Sequence, residues 1–307
     1  MTPVMLSEPA YAVGELVPVQ QVAGRGALAE RLRAYGFGTC SVADRPPSEL
    51  AADAVAELLL RRGLTGGEVD AVVYGTCSHR SEPAGGTGVR GMLDRLGLAG
   101  ARLYGVWLGE SGNLAGAFRL ARALLTSTGM RTVLVVVADA VPKRPGEYRA
   151  MPNAVTVNGD GAAACLLSTV HRGPFTMEGI GHCAVPAMSA AGRGSGLREY
   201  LEFMTGVRSS LTALYRTSGT EPSSYQWLVA NNYSTSNLGD FADLAGIPHD
   251  RMFRGTAPRH GHVFTADGLI NLAALTDSAR VVAGDRVLVL STGPFSWGAI
   301  GLQRSVN

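Results

Sequence analysis

LYGVWLGESGNLAGAFRLARALL, residues 103–125, carries the reading on which the fold turns. Its first six residues, Leu103 to Leu108, are mostly apolar and read as a strand. Gly109-Glu110-Ser111-Gly112 reads as a sharp turn. From there Leu114, Ala117, Phe118, Ala121, Leu124 and Leu125 recur at helical spacing, which predicts a helix over 113–128. Strand, tight glycine turn and helix is a layout that holds up a reactive side chain at the helix N-terminus. Glu110 and Ser111 are the two candidates for that tip.

The rest of the composition is that of a globular protein with a large core. Of 307 residues, 46% are hydrophobic and 17% charged, enough for one large domain or two of roughly 150 residues. Twenty-seven basic against 25 acidic side chains leave a formal charge of +2, which gives no argument for nucleic acid. No apolar run reaches the ~18 residues of a membrane span, and residues 1–20 lack the charged-then-apolar order of a signal peptide. The expected location is the cytoplasm. Cys40, Cys77, Cys165 and Cys183 form no CxxC pair, so neither a zinc site nor a disulfide framework is indicated and each reads as a small apolar residue. His260 and His262 are two apart, but a metal site would need further ligands that the sequence does not offer.

Helix, glycine-containing link, aspartate and apolar strand follow one another once in each half. In the first half these are ELAADAVAELLLRRG (49–63), GGEVD and AVVYGT (71–76), and in the second a helix over 266–282, AGD and RVLVLSTG (286–293). The repetition predicts a duplicated α/β unit with parallel or mixed central strands, divided as residues 1–168 and 169–307. Further helices are predicted near 197–216 and over 234–245, and strands at 132–138, 162–168 and 227–232. Residues 141–158, rich in Pro, Gly and charge, read as a long excursion, and 186–197 as a small-residue loop.

Several of these landmarks resemble one family, the ketoacyl-acyl-carrier-protein synthase III branch of the thiolase superfamily. VDAVVYGT with the following SHRSEP, GMLDRLGL, the 103–125 elbow, NGDGAAACLL (158–167), WLVANN (227–232), RHGHVFTADGL (259–269) and GDRVLVLSTGPFSWGAIGL (284–302) come in that family's order. The resemblance implies a thiolase-like fold in which two duplicated α/β halves form an αβαβα arrangement. It also implies a dimer, of identical or of related subunits, that handles acyl groups on the phosphopantetheine arm of an acyl carrier protein. That arm is a substrate, and no resident cofactor is implied. Residues 20–36 lack the Trp-Ile…Arg-Thr-Gly pattern with which the family holds the adenine end of coenzyme A, so the carrier protein is the expected donor.

Synthases of this family use a Cys-His-Asn set. Placed without gaps, the Cys position falls on Glu110, the His position on Asn231 and the Asn position on His262. Glu110 at a helix N-terminus would be stabilised as a carboxylate and could act as general base for a bound hydroxyl, amine or water. Asn231 and His262 would donate to a thioester oxygen. A shift of one residue would instead put Ser111 at the tip, activated by His262 as in Ser-His pairs. In SHRSEP, Glu82 falls where the family reaches across the dimer into the partner's pocket, and some relatives that join two acyl chains use a glutamate there as base. Asn158 to Gly161 lacks the Lys-Ser/Thr of a P-loop and reads as a structural turn. Trp107 and Trp297 read as core or tunnel residues, and Arg193, Arg208, Arg251, Arg254 and Arg259 as candidates for docking an acidic carrier. The function expected is acyl transfer from a carrier-bound thioester in specialised metabolism, with Glu110 as base. A silent partner subunit, a malonyl-thioester decarboxylase and a thioester hydrolase are the alternatives.

Overall fold

The computed structural model describes residues 2–24, 26–77, 86–142, 149–151, 153, 155–186 and 196–306. Its strands are β1 (Met5–Leu6), β2 (Ala10–Val13), β3 (Glu15–Pro18), β4 (Thr39–Val42), β5 (Ala71–Gly75), β6 (Arg102–Val106), β7 (Thr132–Asp139), β8 (Gly161–Ser168), β9 (Phe175–Ala184), β10 (Trp227–Val229), β11 (Arg286–Thr292) and β12 (Ser296–Arg304). The alternation of side chains along a strand sorts the core into layers. Val133, Val135 and Val137 of β7 enter one apolar cluster, whereas Leu134, Val136 and Ala138 enter another on the opposite face. In β11, Val287 and Val289 join the first cluster and Leu288 and Leu290 a third.

The shared first cluster also contains Leu114, Phe118 and Ala121 of the Asn113–Ser127 helix and Leu269, Ile270 and Leu272 of the Asp267–Asp277 helix. These two helices therefore lie between the halves. Pro47–Arg62 covers the outer face of the first half through Leu50, Val55 and Leu58. Leu197–Ser218 and Thr235–Ala245 cover that of the second through Val207, Leu211 and Phe241. The result is the layered αβαβα arrangement that the sequence resemblance implies.

Strand pairing repeats between the halves. β2 is antiparallel to β8, β8 to β7, and β7 is parallel to β5. Likewise β9 is antiparallel to β12, β12 to β11, and β11 is parallel to β10. The short β1 pairs with both β8 and β9 and joins the two sets into one ten-stranded sheet. At its edges are β6 and β10, and β3 pairs with β4 apart from it.

Two helix ends differ from the sequence reading. The helix expected over 266–282 ends at Asp277, and Ala279 then takes a left-handed φ of 55° that no helix continues. The helix near 197–216 runs on to Ser218, where Gly219 closes it in the left-handed conformation. Trp297 is fully buried, and Trp107, which follows edge strand β6, is 49% exposed and lines a cavity beside the elbow.

Candidate active site

The turn after β6 is held from three sides. Asn113 at the start of its helix is buried; its Oδ1 accepts from the Gly109 amide at 2.8 Å and its Nδ2 donates to the Thr76 carbonyl at 2.9 Å. Ser291 Oγ on β11 donates to the Ser111 carbonyl at 3.0 Å. Gly293 lies so close that a Cβ there would stand 2.6 Å from the Gly109 carbonyl oxygen and 3.0 Å from the Gly112 nitrogen. At the bend itself Glu110 has a φ of 51°, a left-handed conformation that costs a non-glycine residue ~1–3 kcal/mol.

Within this turn it is Ser111 that meets the imidazole. Its Oγ lies 3.1 Å from His262 Nε2. The opposite ring nitrogen, Nδ1, hydrogen-bonds to Asp267 Oδ2. Asp267 is wholly buried and also accepts from the Asn232 amide at 2.8 Å and the Val263 amide at 2.7 Å. A carboxylate that only accepts fixes the Nδ1–H tautomer, so Nε2 presents its lone pair to the serine hydroxyl. The His262 ring sits between Tyr233 and Phe264, with ring centroids 5.0 and 5.2 Å away. A serine hydroxyl, an imidazole base and an orienting carboxylate are thus in series.

The backbone beneath the imidazole comes from distant segments. His262 N donates to the Val157 carbonyl at 2.8 Å and its own carbonyl accepts from Gly159 N at 2.9 Å. Gly261 takes a φ of 68°, and a Cβ on it would stand 2.4 Å from the Val157 oxygen. This close approach gives the glycine before His262 its reason. Next to it Asp160 binds Arg149 through both carboxylate oxygens, at 2.9 and 2.6 Å, and accepts from the Ala43 and Val141 amides at 2.8 Å each. Residues 158–161 therefore act as a structural brace.

Asn231 is turned away from the role the sequence suggests. Its Oδ1 accepts from the Thr292 amide at 2.7 Å and the Thr292 hydroxyl at 3.1 Å, and its Nδ2 donates to the Phe264 carbonyl at 3.1 Å. The amide ties β11 to Phe264, whose own φ of 48° is left-handed. Buried Asp139 fastens the same loop: it accepts from Thr265 N at 3.1 Å, from Cys77 N at 2.7 Å and from Thr76 Oγ1 at 2.8 Å. Burial, then the charge and hydrogen bond of Asp139, then the charge of Glu110 hold the Cys77 thiol well above the usual range.

Of the residues singled out from sequence, Ser111 and His262 come together in direct contact, and Asn231 is bound to the backbone nearby. Glu82 and Arg193 lie outside the described residues. All four cysteines are free, Cys40 and Cys165 buried and Cys77 and Cys183 half-buried. Both ring nitrogens of His262 are used within the protein, and among the described residues no group of three His, Cys, Asp or Glu could hold a metal ion. No described helix is long and apolar enough to cross a membrane.

Asp267 and Asp139 were not anticipated. Asp267 opens a helix, where an acidic residue already has a local explanation, and the five-residue interval from His262 becomes meaningful only once the intervening Phe264 bend is seen. Asp139 ends an apolar strand and gives no local signal.

The overall architecture settles what kind of fold carries this site. ChlB3, described as an acyltransferase, superposes with a TM-score of 0.87 at 19% identity over 99% of this chain and 98% of its own. Its fold is that of the synthase III enzymes. The 3-oxoacyl-acyl-carrier-protein synthase III of Aquifex aeolicus VF5 gives a TM-score of 0.83 at 16% identity, covering 98% of this chain and 99% of that one. The corresponding synthase of Pseudomonas aeruginosa PAO1 gives 0.82 at 20%, covering 99% of both. Residues 215–304 match the family described as 3-oxoacyl-(acyl-carrier-protein) synthase III C terminal. None of the curated proteins matches the sequence.

Proposed function

We propose that the chain is an acyltransferase that takes an acyl group from a carrier-protein thioester onto Ser111 and passes it to a hydroxyl or amine. The observation that carries this reading is the Ser111–His262–Asp267 series. His262 Nε2 accepts the Ser111 proton as Oγ attacks the thioester carbonyl. Collapse of the tetrahedral intermediate expels the thiolate, which leaves with the proton from His262. An acceptor then loses its proton to His262, attacks the serine ester and departs acylated, while Ser111 recovers the proton. The N-terminus of the Asn113–Ser127 helix, which starts two residues after Ser111, favours the negative charge that develops on the carbonyl oxygen.

The same wiring argues against decarboxylative condensation. That chemistry asks for two N–H donors at the thioester oxygen. Here Nδ1–H is committed to Asp267, Nε2 faces a hydroxyl as an acceptor, and of the Asn231 amide the oxygen is held by Thr292 and one N–H by the Phe264 carbonyl. The site is arranged to remove a proton from oxygen. Glu110, the base expected from sequence, has the bend of the elbow rather than the place against the imidazole, and in this reading it shapes the turn.

The carrier protein fits the exposed cations Arg208, Arg251 and Arg259 and the half-buried Arg254. A second subunit fits edge strand β6, next to which Leu103 and Leu108 are exposed together with Trp107. Four free cysteines fit a reducing compartment, the cytoplasm.

Incubation with a panel of acylated carrier proteins, read by intact mass, tests the reading. A mass increase equal to the acyl group is expected for the wild type and Glu110→Gln, and none for Ser111→Ala. Adduct formation by Ser111→Ala, or a loss confined to Glu110→Gln, would overturn the serine assignment. Absence of any adduct and of any thioester consumption would identify a silent subunit.

A further inference from the structure

Beside the elbow, on the side of Gly109 and Gly112, lies a cavity of about 610 Å³, within the range of small-molecule sites. Val106, Trp107, Leu108 and Phe295 make most of its wall apolar. Its polar side chains are Asn113, already bound to Gly109 and Thr76, and a histidine–serine pair. His182 of β9 and Ser296 of β12 both line the cavity, and His182 Nε2 lies 3.1 Å from Ser296 Oγ. Arg119, on the elbow helix, places Nη1 3.3 Å from His182 Nδ1.

Arg119 decides how this pair is protonated. A guanidinium can only donate, so Nδ1 must accept and the proton of the neutral ring stands on Nε2. Burial, then the charge of Arg119, lowers the pKa of His182 and keeps the ring neutral. Nε2–H therefore donates to Ser296 Oγ, which leaves the serine's own hydrogen for another acceptor. The tautomer is opposite to that of His262: one ring takes a hydroxyl proton, the other frees one. Ser296 Oγ also lies against the elbow, 3.1 Å from where a Cβ on either Gly109 or Gly112 would stand. Glycine at both positions lets Ser296 pack directly against the backbone flanking Ser111, so that the cavity abuts the elbow through Gly109 and Gly112.

We infer that this cavity binds the acyl group delivered to Ser111 and that Ser296, oriented by His182 and Arg119, selects acyl groups carrying an oxygen near the thioester over their hydrocarbon equivalents. The ligand class is a short oxygenated acyl group, hydroxy- or oxo-substituted, with an apolar body. This rests on the serine acyltransferase reading for the identity of the ligand, but its test need not use transfer.

Two matched pairs separate oxygen from shape: 2-hydroxypropanoyl against 2-methylpropanoyl pantetheine, and 3-hydroxybutanoyl against 3-methylbutanoyl pantetheine. Binding is measured by calorimetry with the Ser111→Ala protein, which holds the thioester without turning it over. One neutral hydrogen bond predicts a roughly 3–10-fold tighter Kd for the hydroxy member of at least one pair. The preference should vanish in Ser111→Ala/Ser296→Ala. It should fall in Ser111→Ala/Arg119→Met, where Nδ1 can carry the proton and the Ser296 hydrogen turns back to His182. Equal affinities within both pairs, a preference that survives Ser296→Ala, or no binding of any of the four thioesters would overturn the inference. Adduct formation at Ser111 in the otherwise native protein is scored separately, so failure of the serine assignment is distinguishable from failure of the cavity assignment.

Discussion

Asp267→Asn is the sharpest test of the catalytic arrangement, because it changes one atom and little volume. In the native site the carboxylate accepts from His262 Nδ1, the Asn232 amide and the Val263 amide. An amide has one oxygen for these donors, and its NH2 must face at least one of them. Nδ1 and the Asn232 amide share Oδ2 while the Val263 amide meets Oδ1, so either placement of NH2 leaves one backbone N–H unpaired; with NH2 toward Nδ1, the ring nitrogen must lose its proton. The His262 proton moves to Nε2, where it confronts Ser111 Oγ at 3.1 Å with a donor in place of a lone pair. Loss of the correct tautomer in a serine triad lowers turnover by ~10⁴, equivalent to ~5.5 kcal/mol of transition-state stabilisation. Leaving a buried amide poorly paired costs a further ~1–3 kcal/mol of stability. The assay is the time course of acyl-enzyme formation by intact mass, with thermal unfolding in parallel. A rate within tenfold of the wild type in a folded Asp267→Asn protein would refute the claim that His262 acts as base through this tautomer.

Asn231→Ala should lower the melting temperature, since it strands the Phe264 carbonyl and the Thr292 amide at ~1–3 kcal/mol each. If thermal unfolding were unchanged while acylation fell more than a hundredfold, Asn231 would be a direct donor to the substrate. Gly293→Ala pushes a methyl to 2.6 Å from the Gly109 carbonyl. It should cost ~1–3 kcal/mol and slow acylation by ~10²-fold through a shifted elbow, as melting and adduct kinetics together would show. Asp160→Asn breaks a two-point ion pair with Arg149 at a buried carboxylate and should destabilise by ~3–5 kcal/mol in urea unfolding. At alkaline pH, burial pushes the Cys40 thiol up to about 11 and the Tyr215 and Tyr233 hydroxyls higher still. The folded state therefore keeps protons that the unfolded chain releases. Stability should be fully present below about pH 9 and fall as pH rises from there through 11, as urea midpoints would record; Cys40→Ala should reduce the slope between these values.

Much of the architecture is written in local periodicity. Unbroken apolar runs at 133–138 and 287–290 required strands buried on both faces, and the apolar spacing after Gly112 required a helix buried along one side. The repeated helix, link, aspartate and strand announced the duplication that the strand pairing displays. Helix ends were less legible: nothing in Ser278 to Val282 opposes a helix as strongly as the left-handed Ala279 does in the folded chain.

At the site, sequence left Glu110 and Ser111 as alternatives for the tip; in the structure Ser111 meets His262, and Asn231 bonds to Phe264 and Thr292. Successive residues in a helical turn point about 100° apart, so an offset of one position decides which side chain meets the imidazole. That offset depends on the left-handed φ at Glu110, which is held by Asn113 of the elbow helix and by Ser291 and Gly293 at the end of β11. The partner of His262 was hidden for a similar reason. Asp267 opens its helix as any capping acid does, and becomes an orienting carboxylate only because Phe264 reverses the chain between them. The sequence by itself thus determined the elements, their faces and their repetition, since these follow from short-range spacing. Tertiary structure alone decided which hydroxyl, ring and carboxylate stand in line, because that order depends on backbone turns fixed by contacts up to 180 residues apart.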